Sequence, residues 1–183
     1  MTLRNGKYTI LKGIGHGGFG KVYEARNEET GEIVAIKEFF YHSRQVRDPE
    51  TNNVRTNFAD IGYVDNAKEK FRRERDKIKE CAHDHIVQVY EEFDENNTCY
   101  YVMEYIDGES LSALVKERGA LPEKEAVGYI KQVATALGYI HERKIMHLDV
   151  KPANVMFRKE DGKPVLIDFG LSKQYDAEGN QTS

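Results

Sequence analysis

The residues with the clearest chemical potential lie in the stretch from His147 to Asn154, which reads His-Leu-Asp-Val-Lys-Pro-Ala-Asn. Asp149 could accept a proton from a hydroxyl group, and Lys151 could offer positive charge to a transferring phosphoryl group. Asn154 and the nearby Asp168 offer the hard oxygen ligands that Mg²⁺ prefers. The spacing therefore predicts a site for metal-bound phosphate.

A short hairpin is predicted to bring the two oxygen ligands together. Strand-like residues occupy 155–157 and 165–167, and the Asp161-Gly162 pair between them is typical of a tight turn. Asn154 and Asp168 stand at the two outer ends of this hairpin. Closing the hairpin would therefore place them side by side.

Each of these polar residues also has a purely structural interpretation. Asp149 could cap a helix end, and Asp168 could be an ordinary turn residue. His147 is predicted to be a buried core histidine rather than a base. Two carboxylates, a lysine and an amide in so short a stretch nevertheless favour the phosphate site.

A glycine-rich stretch supplies a second candidate phosphate-binding element. Residues 15–20 read Gly-His-Gly-Gly-Phe-Gly, a pattern that dinucleotide-binding loops also use between a strand and a helix. Here strand-like residues precede the glycines at 8–12 and follow them at 22–26 and 33–37. Strand, glycine loop, strand predicts a flap that closes over phosphates. Lys37 is then predicted to reach the α- and β-phosphates of a nucleotide rather than to end a solvated strand.

The segment 39–66 has mixed charge and little apolar periodicity, so it is predicted to be a mobile surface insertion. A regulatory or docking role is left open for it. From Ala67 the pattern is that of an amphipathic helix, which carries Glu74. Glu74 is either one more solvated charge or the partner that holds Lys37 toward a nucleotide.

The remaining pattern completes an α+β fold. Residues 86–90 and 99–105 predict a hairpin, which brings the predicted antiparallel sheet to about five strands carrying one helix. A short helix capped by Ser110 follows, and Leu121-Pro122 opens a long helix that ends near Arg143.

Composition excludes several classes of function. The 183 residues carry a formal charge of -4, so a nucleic-acid partner is not expected. Cys81 and Cys99 lack metal-ligand spacing and are predicted to be buried, reduced thiols, which suits a cytoplasmic protein. No apolar leader or long apolar run occurs, so neither secretion nor membrane spanning is predicted within these residues.

Together these motifs resemble those of a eukaryotic-type serine/threonine protein kinase catalytic domain. The elements that carry the likeness are Gly15 to Val22, Val34 to Lys37, Glu74, His147 to Asn154, and Asp168-Phe169-Gly170. The Lys151-Pro152 pair resembles serine/threonine rather than tyrosine kinases. The resemblance implies a bilobal fold with Mg-ATP between the lobes. It implies an N-terminal lobe at 1–104, with an insertion at 38–66, and a partial C-terminal lobe at 105–183. The hinge between them is implied at 104–109. Within the C-terminal lobe, the catalytic loop is implied at 145–154 and the start of an activation loop at 168–183.

The resemblance also implies a role for each matching residue. The implied catalytic residues are Asp149, Lys151, Lys37 and Glu74, and the implied Mg²⁺ ligands are Asn154 and Asp168. The residues implied to bind ATP are Ile14, Gly15, Gly17, Gly18, Phe19, Gly20, Val22, Ala35, Lys37, Met103, Glu104, Ile106 and Met156. An apolar spine of Val89, Ile78, Phe169 and His147 is implied as well.

Two departures from the family pattern limit this likeness. Leu148 stands where many kinases have an arginine that grips a phosphorylated activation loop, so that style of switching is not expected here. The chain ends at Ser183, within the expected activation loop, so it is expected to be a fragment with weak or no activity alone. Ile130, Val133 and Leu137 on the long helix would then lose packing partners, which predicts self-association.

The predicted reaction is transfer of the ATP γ-phosphoryl group to a serine or threonine hydroxyl of a protein substrate. Two alternatives stay open. A small-molecule phosphotransferase would use the same acidic and amide groups, and a pseudokinase or nucleotide-binding scaffold would bind ATP without transfer.

Overall fold

The computed structural model of this protein describes residues 1–17, 20–169, 173–174 and 178. The chain forms two compact units, Met1–Arg72 with Val89–Tyr105 and Arg73–Gln88 with Ile106–Ser183. Residues 73–88, which the sequence placed in the first lobe, instead group with the second unit. The backbone explains this, because Leu166 N–H donates to His85 O (2.9 Å) and Val87 N–H donates to Leu166 O (3.0 Å).

The first unit is built on a six-stranded antiparallel sheet with the order β1-β2-β3-β4-β8-β7. Its strands are β1 (Thr2–Leu3), β2 (Tyr8–Gly17), β3 (Gly20–Asn27), β4 (Ile33–Phe39), β7 (Val89–Glu95) and β8 (Thr98–Glu104). The predicted sheet is confirmed, with the two-residue β1 added at its edge. One face carries a buried apolar cluster that includes Tyr8, Ile36, Tyr100 and Val102.

The other face of this sheet meets the first helix through aromatic rings. Helix α1 spans Ile61–Lys79, so it begins earlier than the predicted Ala67. The ring centroid of its Phe71 lies 5.7 Å from that of Phe39 and 5.1 Å from that of Tyr101. Such tilted and edge-on pairs are favourable ring geometries that add to the apolar burial.

The insertion before α1 is folded, which corrects the expectation of a mobile surface segment. It contains the antiparallel hairpin of β5 (Gln45–Arg47) and β6 (Val54–Thr56). Asp48 makes the turn, since its carboxylate accepts hydrogen bonds from the backbone N–H groups of Glu50 and Thr51, both at 3.0 Å. Short acidic side chains stabilise turns in this way, and this signal was present in the sequence.

In its described residues, the second unit contains two helices and two short strand pairings. Helix α2 (Leu111–Arg118) has the predicted cap, because Ala113 N–H donates to Ser110 Oγ at 3.1 Å. Helix α3 (Glu123–Glu142) follows the predicted Pro122. The short strands are β9 (Ile145–Met146), β10 (Val155–Phe157), β11 (Pro164–Leu166) and β12 (Lys173–Gln174), with β9 paired to β12 and β10 to β11.

The buried face of α3 differs in part from the predicted one. Val133, Ala136 and Ile140 are buried, so Val133 is not the exposed residue that the sequence suggested. Ile130 is 61% exposed, in agreement with that expectation. Among the described residues, every helix is too short or too polar to cross a bilayer.

Candidate active site

The stretch from His147 to Asn154 follows β9 and begins with an unusual backbone turn. Leu148 has φ of +61°, in the left-handed region that side chains other than glycine seldom adopt, and its side chain is 51% exposed. Strained residues of this kind cluster at functional sites, where the surrounding structure holds them in place. The turn separates two neighbours with different environments, since His147 is 2% exposed while the Asp149 side chain is 23% exposed.

Asp149 is held by two donors from its own loop. Lys151 Nζ donates to Asp149 Oδ2 at 2.7 Å, and Asn154 Nδ2 donates to the same oxygen at 2.8 Å. The hydrogen bond from Lys151 and then that from Asn154 hold the pKa of Asp149 below its ordinary value. The carboxylate is therefore ionised at neutral pH and able to accept a proton.

Asn154 is oriented so that its amide oxygen is the atom that can meet a cation. The residue is buried at the end of a 3₁₀ turn, Pro152–Asn154. Its Nδ2 group donates to the backbone oxygen of Asp149 at 2.9 Å as well as to the carboxylate. Because the nitrogen is committed to these two acceptors, Oδ1 is the side-chain atom suited to ligate a metal.

The β10–β11 hairpin joins the backbones on either side of the candidate metal ligands, as predicted. Val155 pairs with Leu166, and Ile167 N–H donates to Asn154 O at 3.2 Å. Asp168, which is half-buried, follows directly. The described residues contain no group of three or more His, Cys, Asp or Glu side chains suited to a metal. The Asn154 amide oxygen and the Asp168 carboxylate suit Mg²⁺, which proteins hold through one or two carboxylates together with phosphate oxygens and water.

His147 is a buried core residue, as the sequence predicted. Its ring lies edge-on to the ring of Phe169 with centroids 4.7 Å apart, and its Nδ1 accepts from the Asp149 N–H at 3.3 Å. Burial lowers the pKa of His147, although the nearby carboxylates of Asp168 and Asp149 act in the opposite direction. A neutral, buried ring packs the loop rather than removing protons. Ile78, of the implied spine, is fully buried in the same unit, whereas Val89 is a half-buried residue of the first unit.

The glycine-rich stretch forms a β-hairpin, as predicted. Gly17 at the end of β2 pairs with Gly20 at the start of β3, and Gly15 pairs with Val22. A strand follows the glycines, which distinguishes this element from the strand-to-helix turn of dinucleotide-binding folds. Gly18 and Phe19, like Gly170 further on, lie outside the described residues.

Lys37 of β4 lies on the same face of the sheet as Val22 and Tyr101, its register partners on β3 and β8. Its Nζ is 5.9 Å from the Phe71 ring centroid and 5.8 Å from that of Tyr101. A Cβ atom at Gly20 would lie 3.6 Å from Lys37 Cε and only 2.9 Å from Glu38 O. Gly20 is therefore required where β3 approaches β4, beside the lysine.

The other predicted nucleotide-binding residues divide between the two units. In the first unit, Ala35 is buried opposite Met103 in the sheet, Glu104 is half-buried, and Ile14 is 43% exposed at a bulge in β2. In the second unit, Ile106 and Glu74 are buried and Met156 is half-buried.

Sequence reasoning missed two features near these residues. A Cβ atom at Gly108 would lie 1.8 Å from Phe157 O, so only glycine fits where this backbone crosses β10. Glu38 is a fully buried carboxylate that pairs with Arg47 of the insertion. Neither contact has a local sequence signal, because both depend on segments that the fold brings together.

Comparisons with known proteins show the family of this chain. Residues 8–183 match the family described as protein kinase domain. The chain is similar to the putative CBL-interacting protein kinase 13 of Oryza sativa subsp. japonica, with 35% identity covering 91% of this chain and 29% of the relative. It is also similar to the serine/threonine-protein kinase C of a Synechocystis species, with 32% identity covering 95% of this chain and 30% of the relative. The chain thus spans about a third or less of the length of these curated relatives.

A solved structure supports the fold independently. The chain resembles the structure titled "PpkA-294 apo form" with a TM-score of 0.83 and 24% identity, covering 90% of this chain and 58% of the other. At this identity the likeness shows the fold alone, and it confirms the kinase-like α+β architecture.

Proposed function

This chain belongs to the protein kinase family, and we propose that it transfers the γ-phosphoryl group of ATP to serine or threonine hydroxyls of a protein substrate. One observation carries the proposal. The carboxylate of Asp149 is ionised, partly exposed and held by Lys151 and Asn154 within one short loop. A fixed carboxylate beside a lysine and a metal-ligating amide is the arrangement that phosphoryl transfer to a hydroxyl requires.

Residues of the second unit carry the chemistry in this proposal. Asp149 orients the acceptor hydroxyl and takes its proton, and Lys151 stabilises the negative charge that develops during transfer. Asn154 Oδ1 and the Asp168 carboxylate hold Mg²⁺, which when bound neutralises charge on the phosphate oxygens.

The residues proposed to bind the nucleotide come from both units. Lys37 contacts the α- and β-phosphates, and the hairpin around Gly15 to Gly20 covers the phosphates and excludes water. Glu74 remains the predicted counter-charge for Lys37. The adenine contacts are assigned to Ile14, Val22, Ala35, Met103, Glu104, Ile106 and Met156.

The acceptor is tested by offering the protein Mg²⁺ and ATP labelled at the γ-phosphate, together with a generic protein mixture or with small alcohols. Label is expected on protein acceptors, because the Lys151-Pro152 pair and the glycine hairpin resemble those of serine/threonine kinases. Label that accumulates only on small alcohols would favour a small-molecule phosphotransferase. ATP binding without transfer to either acceptor would favour a pseudokinase.

We also propose that helix α3 supports self-association. Val127 and Ile130 lie three residues apart on this helix and are 43% and 61% exposed, so two neighbouring apolar side chains face water. A second copy of the chain would remove them from water. Light scattering is expected to report a species larger than a monomer. The Ile130→Lys substitution is expected to reduce the fraction of the chain in that species. A monodisperse monomer at high concentration would rule this out.

The proposed setting is the reducing cytoplasm. Cys81 and Cys99 are both free and buried, and burial raises the pKa of each thiol. Protonated, inaccessible thiols of this kind play a packing role rather than a redox role.

A further inference from the structure

Glu38, directly after Lys37 in β4, is a charged residue buried in the first unit. Its exposure is 0%, and carboxylates are almost never buried to this extent unless they are paired. Tyr23 Oη donates to Glu38 Oε2 at 2.7 Å, and Tyr100 Oη donates to Oε1 at 2.8 Å. The two hydroxyls satisfy hydrogen bonds but leave the negative charge uncompensated.

The compensating charge comes from the insertion. Arg47 Nη2 donates to Glu38 Oε1, and the Arg47 side chain is itself only 19% exposed. Its Nη1 also donates to Asn52 O at 2.6 Å, so the guanidinium links the β5–β6 turn to β4. Burial and the charge of Glu38 raise the pKa values of Tyr23 and Tyr100, so both hydroxyls remain protonated donors.

Two further contacts anchor the insertion to the same end of the sheet. Val54 N–H donates to Asn96 O at 2.8 Å, in the turn between β7 and β8. Phe40 is buried, with the Nζ of Lys21 3.9 Å from its ring centroid and the Cζ of Arg47 5.5 Å from it. Lys21 is the residue after Gly20, so the insertion also contacts the glycine hairpin close to its turn.

Side-chain alternation along β4 connects this network to Lys37. Glu38 shares a face with Tyr100, its register partner, whereas Lys37 shares the opposite face with Tyr101. Fixing Glu38 therefore fixes the backbone from which Lys37 projects. Gly20 approaches Glu38 O so closely that the β3 and β4 backbones are tightly packed at this point.

We propose that Arg47 is a positioning residue that acts through Glu38, so that the insertion holds Lys37 in place for the phosphates of ATP. The inference rests on the proposed role of Lys37 as a phosphate contact. Without Arg47, Glu38 is a buried charge without a counter-charge, and a shift of β4 that brings the carboxylate toward water would relieve this cost.

The test compares Arg47→Ala with Arg47→Lys and with the double variant Arg47→Ala/Glu38→Gln. Arg55→Ala is the matched control, because Arg55 lies on the same hairpin with its side chain 71% exposed. Each variant is measured for its melting temperature and for its affinity for a fluorescent ATP analogue with Mg²⁺. The two readouts separate folding from nucleotide positioning.

Arg47→Ala is expected to lower the melting temperature by about 10 °C, because it leaves a buried charge unpaired. Below its melting temperature, its affinity for the analogue is expected to fall about tenfold, the effect of losing one charged hydrogen bond. The double variant is expected to recover most of both losses, Arg47→Lys part of them, and Arg55→Ala is expected to behave as wild type.

The outcomes distinguish this inference from the proposed function. Equal nucleotide affinity in folded Arg47→Ala and wild type would overturn the positioning role, as would failure of Glu38→Gln to rescue that affinity. If Arg47→Ala does not fold, the double variant decides, and weak binding by a stable double variant would overturn the role. Absence of nucleotide binding by the wild-type chain would instead overturn the proposed function.

Discussion

Replacing Asp149 by asparagine is expected to lower the rate of phosphoryl transfer by roughly 10²- to 10⁴-fold, the usual contribution of a positioned acid or base. The amide keeps the size of the side chain and can still meet Lys151 or Asn154, so the loop is expected to stay folded. It cannot take the proton of the acceptor hydroxyl. The affinity for Mg-ATP is expected to change little, because Asp149 is assigned to the acceptor rather than to the nucleotide.

Asp161→Asn is the matched control for this substitution. Asp161 is an exposed aspartate in the turn of the β10–β11 hairpin, where its carboxylate accepts from Lys163 N–H at 3.0 Å. The control is expected to transfer phosphate at the wild-type rate. If Asp149→Asn loses Mg-ATP affinity in proportion to its rate, then the carboxylate holds the nucleotide and the assigned role is wrong.

Replacing Asp168 by asparagine is expected to have the second large effect, on metal-dependent nucleotide binding. A carboxylate contributes both charge and a hard oxygen to Mg²⁺, and the neutral amide is a weaker ligand. The rate of transfer is expected to fall on the order of 10²- to 10³-fold, as for loss of one electrostatic contact to the reacting group. In wild type, ATP is expected to raise the melting temperature more with Mg²⁺ than without it.

The Asp168→Asn variant is expected to show the same thermal shift with and without Mg²⁺. Asp161→Asn again serves as the control and is expected to keep the Mg²⁺-dependent part of the shift. A full Mg²⁺-dependent shift in Asp168→Asn would contradict the assignment of Asp168 as a metal ligand and leave Asn154 without its predicted partner.

The parts of the site that were predictable from sequence are those whose geometry is local. Asp149, Lys151 and Asn154 meet because they lie within one short loop, and their spacing already implied a shared site. The β10–β11 hairpin followed from an Asp-Gly turn between two short apolar runs. Ser110 was identifiable as a helix cap for the same reason, since the cap and the N–H group that donates to it belong to one turn.

The parts that were not predictable depend on segments that meet only in the folded chain. Arg47 lies in a segment of mixed charge, and nothing in its neighbours indicates that it neutralises Glu38. No local sequence pattern around Gly108 indicates that β10 crosses directly beside it. The start of α1 at Ile61 was missed because the apolar periodicity of its first turns is weak, and packing rather than propensity decides most helices.

The most direct measurement of the assigned reaction is the single-turnover rate of γ-phosphoryl transfer to protein hydroxyls, at saturating Mg-ATP, in matched preparations of the full-length wild-type protein and full-length Asp149→Asn. Phosphoserine or phosphothreonine is expected in the wild-type reaction, with a rate of transfer at least about 10²-fold lower in the variant. Equal rates in the two proteins, or no phosphorylated protein in either, would contradict it.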